Sequence, residues 1–420
     1  MSAAGDRAGR GPGIRARWKR IAVTILAAGC AAIMGHPAAF SQDAEQLYVN
    51  EDSGARAAAA MLEGQAKADA LALSRIPSAT WFMEGSPQET RAAVAGIVDR
   101  ASAQDAIPVL VAYNIPHRDC ALYSAGGARN TAEYGAWIEA FAAGIGTRKA
   151  IVVLEPDGLG VIPFHRNVNG DPESCRPEKA DPAHAAQERF AQLGRAVEIL
   201  KALPATRVYL DGTSSNWLSP GDAAARLVRA DIAKADGFFL NVSNFESDER
   251  VTMFAAWLSD CLALVMEGGL EARNCPSQFH PARYGDVATW TETDRAYDLA
   301  FAEAGLARDP AAQKHAIIDT SRNGRGSWNA PDGAYKDAET WCNPPGRGLG
   351  RRPTLRTGNP YIDGFLWIKV PGESDGPCRR GTTGPVDPAR GVVAPPAGAW
   401  FPAQARELIE RANPPLDMGK

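Results

Sequence analysis

The sequence is most informative first in what it withholds. Its 420 residues carry 45 Lys and Arg against 49 Asp and Glu, a formal net charge of -4. That leaves no basic excess with which to neutralise a phosphate backbone, so nucleic acid is excluded as a partner. There is no CxxC, and no histidine stands near a second ligand at zinc-like spacing, so no metal or cofactor is expected. Gly346-Arg347-Gly348-Leu349-Gly350 has the glycines of a phosphate loop without a preceding strand or a following helix, and reads as a plain loop. The apolar run from Ile21 to Met34 is too short to span a bilayer comfortably. Repeats and Ser/Thr/Pro-rich linkers are also missing, which points to one catalytic-size domain over residues 42–420, with no appended binding module and no expectation beyond a monomer.

What is present begins with a targeting segment. Arg7, Arg10, Arg15, Arg17, Lys19 and Arg20 precede the apolar run, and small residues then place a cleavage site near Ala39-Phe40-Ser41. Residues 1–41 are therefore read as a signal peptide and the mature chain as secreted, extracellular or periplasmic. Leu26-Ala27-Ala28-Gly29-Cys30 approximates a lipoprotein box, so a lipid anchor at Cys30 is the alternative. Of the seven cysteines, removal of Cys30 leaves six, an even number that in an exported chain suggests a disulfide framework. Spacing alone leaves the pairing open.

Short β-rich runs alternate with helical patterns. Strands are predicted at 79–82, 108–113, 150–154, 207–210, 237–241, 316–318 and 364–369. Between them apolar residues recur at helical spacing, as in Tyr134, Trp137, Ile138, Phe141 and Ile145, or Phe190, Leu193, Val197 and Leu200. Such alternation implies a parallel sheet. Polar residues follow successive strands: Asp119, Asp157, Asp211, Asn244, Asp319 with Arg322, and Asp375. A barrel gathers all of its C-terminal strand ends at one rim, whereas an open sheet gathers only those at its switch point. The expected fold is a distorted, incomplete α/β barrel of about seven parallel strands.

Aspartates that end apolar strands suit acid–base chemistry, because burial raises a carboxyl pKa and keeps a proton available near neutral pH. Any one of them could instead be an ordinary helix N-cap; several at one rim shift the balance. Inverting hydrolysis of a glycosidic bond needs an acid and a base carboxyl roughly 6.5 to 9.5 Å apart. Trp81, Trp217 and Trp341, at strand ends or in polar loops, could stack on the C–H faces of sugars.

The ordered motifs Val111-Ala112-Tyr113-Asn114-Ile115-Pro116-His117-Arg118-Asp119-Cys120, Leu154-Glu155-Pro156-Asp157, Asn241-Val242-Ser243-Asn244-Phe245, Ile318-Asp319-Thr320-Ser321-Arg322-Asn323-Gly324, Trp341-Cys342-Asn343 and Trp367-Ile368-Lys369-Val370-Pro371-Gly372-Glu373-Ser374-Asp375-Gly376 resemble glycoside hydrolase family 6. The resemblance implies a cellulase that takes β-1,4-glucan, endoglucanase or cellobiohydrolase, on a β/α barrel with fewer than eight strands. By the same resemblance Asp157 is the general acid, and Asp119 is the second aspartate that raises its pKa and organises water. Asp375 is the proposed base, paired with Arg322, and Tyr113 presses on the distorted sugar. Trp81, Trp341, Lys369 and Glu373 are implied on the glycone side, with Trp217 on the leaving-group side and Asn244 and Ser214 as further substrate contacts. Cys120 with Cys175 and Cys342 with Cys378 resemble the family's two disulfides. Cys261 with Cys275 would be an additional bridge within 247–291.

Two departures stand out. Asp211-Gly212-Thr213-Ser214-Ser215 has Ser214 where the family has a substrate-binding histidine, and Ala125, beside Ser124, occupies the place of a serine that holds the catalytic water. The segments 325–340 and 377–399 are shorter than the loops that build a tunnel in the family's cellobiohydrolases, which favours an open cleft and internal cutting. The competing readings are a cellobiohydrolase, a glucan-binding protein that has lost catalysis, and a periplasmic trimming enzyme.

Overall fold

A computed structural model describes residues 45–417. The signal peptide and the alternative anchor at Cys30 lie outside the described residues. Among the described residues nine strands run in chain order: β1 (Gln46–Leu47), β2 (Thr80–Phe82), β3 (Ala106–Ile107), β4 (Val109–Ala112), β5 (Ala150–Leu154), β6 (Thr206–Asp211), β7 (Gly237–Leu240), β8 (His315–Asp319) and β9 (Ile362–Leu366). β1 and β3 form a small parallel pair of their own. The other seven make one parallel sheet in the order β2-β4-β5-β6-β7-β8-β9, so the expected seven-stranded, incomplete barrel is what the chain forms.

Parallel strands covered on both faces should read as nearly unbroken apolar runs, and these do. Successive side chains still part to opposite faces. Leu110, Val152, Leu154, Val208, Leu210, Phe238, Leu240 and Ile318 pack outward in one cluster with helix residues. These include Trp137 and Phe141 of the helix Thr131–Ile145, Phe190 and Leu193 of Ala185–Lys201, and Trp257 of Asp248–Met266. Val109, Val111, Tyr113, Ile151, Val153, Tyr209, Phe239, Ile317 and Leu366 turn inward and fill the barrel.

The ring is left open between β2 and β9. Where a ladder would close it, the Ala79 N–H donates to the Trp367 carbonyl over 2.9 Å and the Trp81 indole donates to the Ile368 carbonyl over 2.8 Å. A third apolar cluster, with Trp367, Leu349, Leu73 and Leu408 of the helix Pro402–Glu410, packs on the same side. The sequence pattern places the last strand at 364–369, yet β9 ends at Leu366. The reason is local: the N–H groups of Ile368 and Lys369 donate to the Asp319 carboxylate instead of to a neighbouring strand. β7 likewise stops one residue early, at Leu240, because Asn241 takes a left-handed conformation (φ 69°).

Candidate active site

At the C-terminal rim, polar residues at strand ends act first as latches. Glu155, directly after β5, accepts from the backbone N–H groups of Asn114 and Ile115 in the loop after β4. Asp211, the last residue of β6, accepts from Leu159 and Gly160 in the loop after β5 and from Thr213. Asp319, the last residue of β8, holds Ser321, Ile368 and Lys369. Each carboxylate satisfies buried loop donors that have no ladder partner, so neighbouring loops are fixed to one another. The buried Arg189 adds a cross-tie, donating to the carbonyls of Pro116 (2.7 Å), Gly158 (2.9 Å) and Val161 (3.2 Å).

Held by these ties are Asp119 and Asp157, both in the left-handed backbone region (φ 57° and 62°). Non-glycine residues enter that region at a cost of order 1–3 kcal/mol, and such strain concentrates at functional sites. Burial, then the carboxylates of Asp211 and Asp119, push the Asp157 pKa well above the ordinary range, while a hydrogen bond from Tyr113 pulls the other way. The net effect favours the protonated form of Asp157. Burial raises Asp119 to about 6, opposed by the Ser124 N–H and by Arg118. The Ser124 N–H reaches the Asp119 Oδ2 over 2.7 Å, while Ala125 is exposed. Ser124 therefore stands against the second aspartate, through its backbone.

Asp375 has the opposite environment. Burial disfavours its charge, but Arg322, Lys369 and the Asn343 N–H outweigh burial and hold its pKa below the usual carboxylate range. Its Oδ2 lies 2.7 Å from Arg322 Nη1 and 2.9 Å from the Asn343 nitrogen, and its Oδ1 lies 3.7 Å from Lys369 Nζ. Arg322 also lies over the Phe245 ring at 4.4 Å, next to Asn244. Glu373 is raised by burial against the pull of Lys369 and Arg322.

Trp81 meets Tyr113 edge-on, with ring centroids 5.3 Å apart, which joins the Asp119–Asp157 group to the residues after β9. Trp81 and Glu373 also line a cavity of about 190 Å³ with Asn50, Ser53, Ser78 and Thr80, in the gap between β2 and β9. Trp341 lies 5.8 Å from Tyr123, ring to ring. Trp217, 37% exposed, lies so close over Gly160 that a Cβ there would stand 2.4 Å from the indole. Only glycine fits beneath it, three residues past Asp157. Ser214 is fully buried, and its hydroxyl is spent within its own loop, donating to Asn216 Oδ1 over 2.6 Å. Asn216 is the exposed partner.

Of three disulfides, Cys120–Cys175 and Cys342–Cys378 brace these loops, while Cys261–Cys275 ties the helix Asp248–Met266 to the segment after it. The first anchors the residue after Asp119 and the second joins the Trp341 loop to the Asp375 loop. Sequence reasoning passed over Glu155, Arg189, Tyr123 and Asn343, whose roles depend on which backbone atoms they reach. The one available signal was Glu155 itself, a carboxylate closing five apolar residues, where an unsatisfied charge would not survive burial. Among the described residues no group of three or more His, Cys, Asp or Glu is arranged to hold a metal, and no helix is long and apolar enough to cross a membrane.

The sequence matches the family model described as glycosyl hydrolases family 6 over residues 42–412. It is 34% identical over 372 residues to endoglucanase 1 of Streptomyces halstedii, covering 86% of this chain and 92% of that protein. With endoglucanase A of Thermobispora bispora it is 33% identical over 344 residues, 82% of this chain and 57% of that protein, so it spans little more than half of that relative. Among solved structures, an endoglucanase from Mycobacterium tuberculosis in complex with methyl-cellobiosyl-4-deoxy-4-thio-β-D-cellobioside is similar with a TM-score of 0.62 at 31% identity, covering 88% of this chain and 98% of that one.

Proposed function

The chain belongs to glycosyl hydrolase family 6 and is a glycoside hydrolase of the cellulase kind, and from that premise we propose that it cleaves internal β-1,4-glucosidic bonds with inversion, Asp157 serving as general acid. The observation that carries this is the split between its carboxyls. Burial and two neighbouring carboxylates shift Asp157 toward its protonated form, while Arg322 and Lys369 shift Asp375 toward its ionised form. Titratable groups pushed apart in this way are the mark of an acid and an anion with separate tasks.

The Asp157 proton passes to the glycosidic oxygen as the C1–O bond breaks, and water adds to C1 from the opposite face, giving an α-anomer and a free 4-hydroxyl. The water's surplus proton goes toward Asp119, whose pKa of about 6 makes it the better acceptor at neutral pH. Asp375, acidified by its ion pairs, is the weaker base and serves mainly as fixed negative charge beside the cationic sugar. Trp81, Trp341, Lys369 and Glu373 take the glycone units, Tyr113 bears on the distorted ring, and Trp217 takes the leaving group beside Asn244. Where the family has a histidine, Asn216, held by Ser214, offers its amide to a sugar hydroxyl.

Internal cutting is supported by the short segments 325–340 and 377–399 and by relatives named endoglucanase. One observation favours the cellobiohydrolase reading: Tyr123 reaches from the Asp119 loop to the loops after β8 and β9. Viscosity of carboxymethylcellulose against reducing ends released separates the two. A steep early loss of viscosity is expected. Slow loss with cellobiose as the main product would make it a cellobiohydrolase, and no product at all would leave only glucan binding.

A further inference from the structure

Tyr123 sits four residues past Asp119, between Leu122 and the Ser124 whose N–H bonds the Asp119 carboxylate. Its hydroxyl donates to Glu339 Oε1 over 2.8 Å and accepts from the Arg379 N–H over 2.9 Å. Its ring lies 5.8 Å from Trp341 and covers Gly376, where a Cβ would stand 2.7 Å from the tyrosine Cβ. One side chain therefore touches the loop after β8 and both sides of the segment that follows Asp375. Its partner is fixed in turn. Glu339 Oε2 accepts from the Arg380 N–H, and the buried Arg380 guanidinium is locked by Asp387 and the carbonyls of Glu339 and Cys342. On the other flank, Arg118 Nε donates to the Ser124 carbonyl over 2.8 Å.

We propose that Tyr123 is a positioning residue for the hydrolysis, clasping the Asp119–Ser124 loop against the loops that carry Trp341 and Asp375 so that Asp119 keeps a set place relative to Asp375 and the Trp341 ring. This rests on the function proposed for the site. The Tyr123 hydroxyl bonds both distal loops at once, whereas the Cys120–Cys175 bridge anchors its loop to the segment after β5. One phenol thus joins the Asp119 loop to the Asp375 loop, while the disulfide and Arg189 join it to the loop that carries Asp157. Asp119 itself faces Arg118, Tyr113 and Asp157, and loosening the loop would admit water to it.

The test is Tyr123→Phe and Tyr123→Ala in the full enzyme, with cellopentaose as substrate. A group that positions without binding lowers kcat and leaves KM nearly alone. Each lost hydrogen bond is worth about 1 kcal/mol, or roughly 5-fold, and a displaced catalytic group magnifies that. Tyr123→Phe should lower kcat about 5-fold or more, with KM within about 2-fold and the enzyme still folded at the assay temperature. Tyr123→Ala should lower kcat further and move the acidic limb of the pH profile to lower pH, as Asp119 gains solvent. Wild-type kcat in both variants, or a raised KM at unchanged kcat, overturns the proposal, the latter by making Tyr123 a sugar contact. If the alanine variant fails to fold, the phenylalanine variant decides alone. An inactive wild-type enzyme would overturn the functional reading instead.

Discussion

Arg322 Nη1 lies 2.7 Å from Asp375 Oδ2, and the two side chains are 0% and 5% exposed. Arg322 Nε and Nη2 find no partner among the described residues, so Asp375 is the main counter-charge for a buried guanidinium. Removing one member of such a pair is expensive because the other charge stays buried. Asp375→Asn should lower stability by about 3–5 kcal/mol as well as lowering kcat, read from urea unfolding midpoints and cellopentaose turnover. An unchanged midpoint would mean that Arg322 reaches water and is not held by Asp375.

The carboxyl pKa values set the pH profile. Asp119, raised to about 6, acts as an anion and must lose its proton, so activity should fall as pH drops through about 6. Asp157, raised well above the ordinary range, must keep its proton, so activity should fall again as pH rises through that elevated value. Asp119→Asn should erase the acidic limb of kcat/KM. It should also move the alkaline limb to lower pH, since the Asp119 charge is one cause of the Asp157 shift. An acidic limb unmoved by that substitution would assign it to another group.

Asp157→Asn separates proton donation from everything else the site does. Loss of a general acid should reduce turnover of cellopentaose by about 10²–10⁴-fold. On a dinitrophenyl cellobioside, whose leaving group departs without a proton, the loss should be far smaller. Equal losses on both substrates would mean that Asp157 holds the structure or the sugar and does not donate the proton.

Legibility from sequence follows from what each feature depends on. The strands of the barrel stood out because parallel strands covered on both faces are short apolar runs, such as Ala150 to Leu154, bounded by polar turns. Membership of family 6 was legible from ordered motifs, and the comparisons bear it out. The end of β9 was not legible, since Trp367 to Ile368 remain apolar and only the reach of Asp319 to the N–H groups of Ile368 and Lys369 ends the ladder. Glu155 and Arg189 were missed for a related reason: their targets are backbone atoms of distant loops, and nothing in residue type marks a backbone partner. Ser214 stands at the motif position of a sugar contact, yet it is buried and spends its hydroxyl on Asn216.

That last pair gives its own expectation. If Asn216 carries the contact that the family's histidine makes elsewhere, Asn216→Ala should raise KM for cellopentaose several-fold, about 1 kcal/mol of lost hydrogen bonding, with kcat little changed. Steady-state kinetics on cellotriose and cellopentaose would show the effect concentrated in the substrate that fills the leaving-group side. An unchanged KM would leave the leaving-group side to Trp217 and Asn244.

If a protonated Asp157 drives single-step, inverting cleavage of β-1,4-glucan, proton NMR of cellohexaose during the first minutes of hydrolysis should reveal it. Newly formed reducing ends should be α-anomers that relax to the equilibrium mixture by mutarotation, and Asp157→Asn should give no such signal. Newly formed β-anomers would contradict single-step inversion, because they require a covalent intermediate, with a nucleophile standing where water should attack.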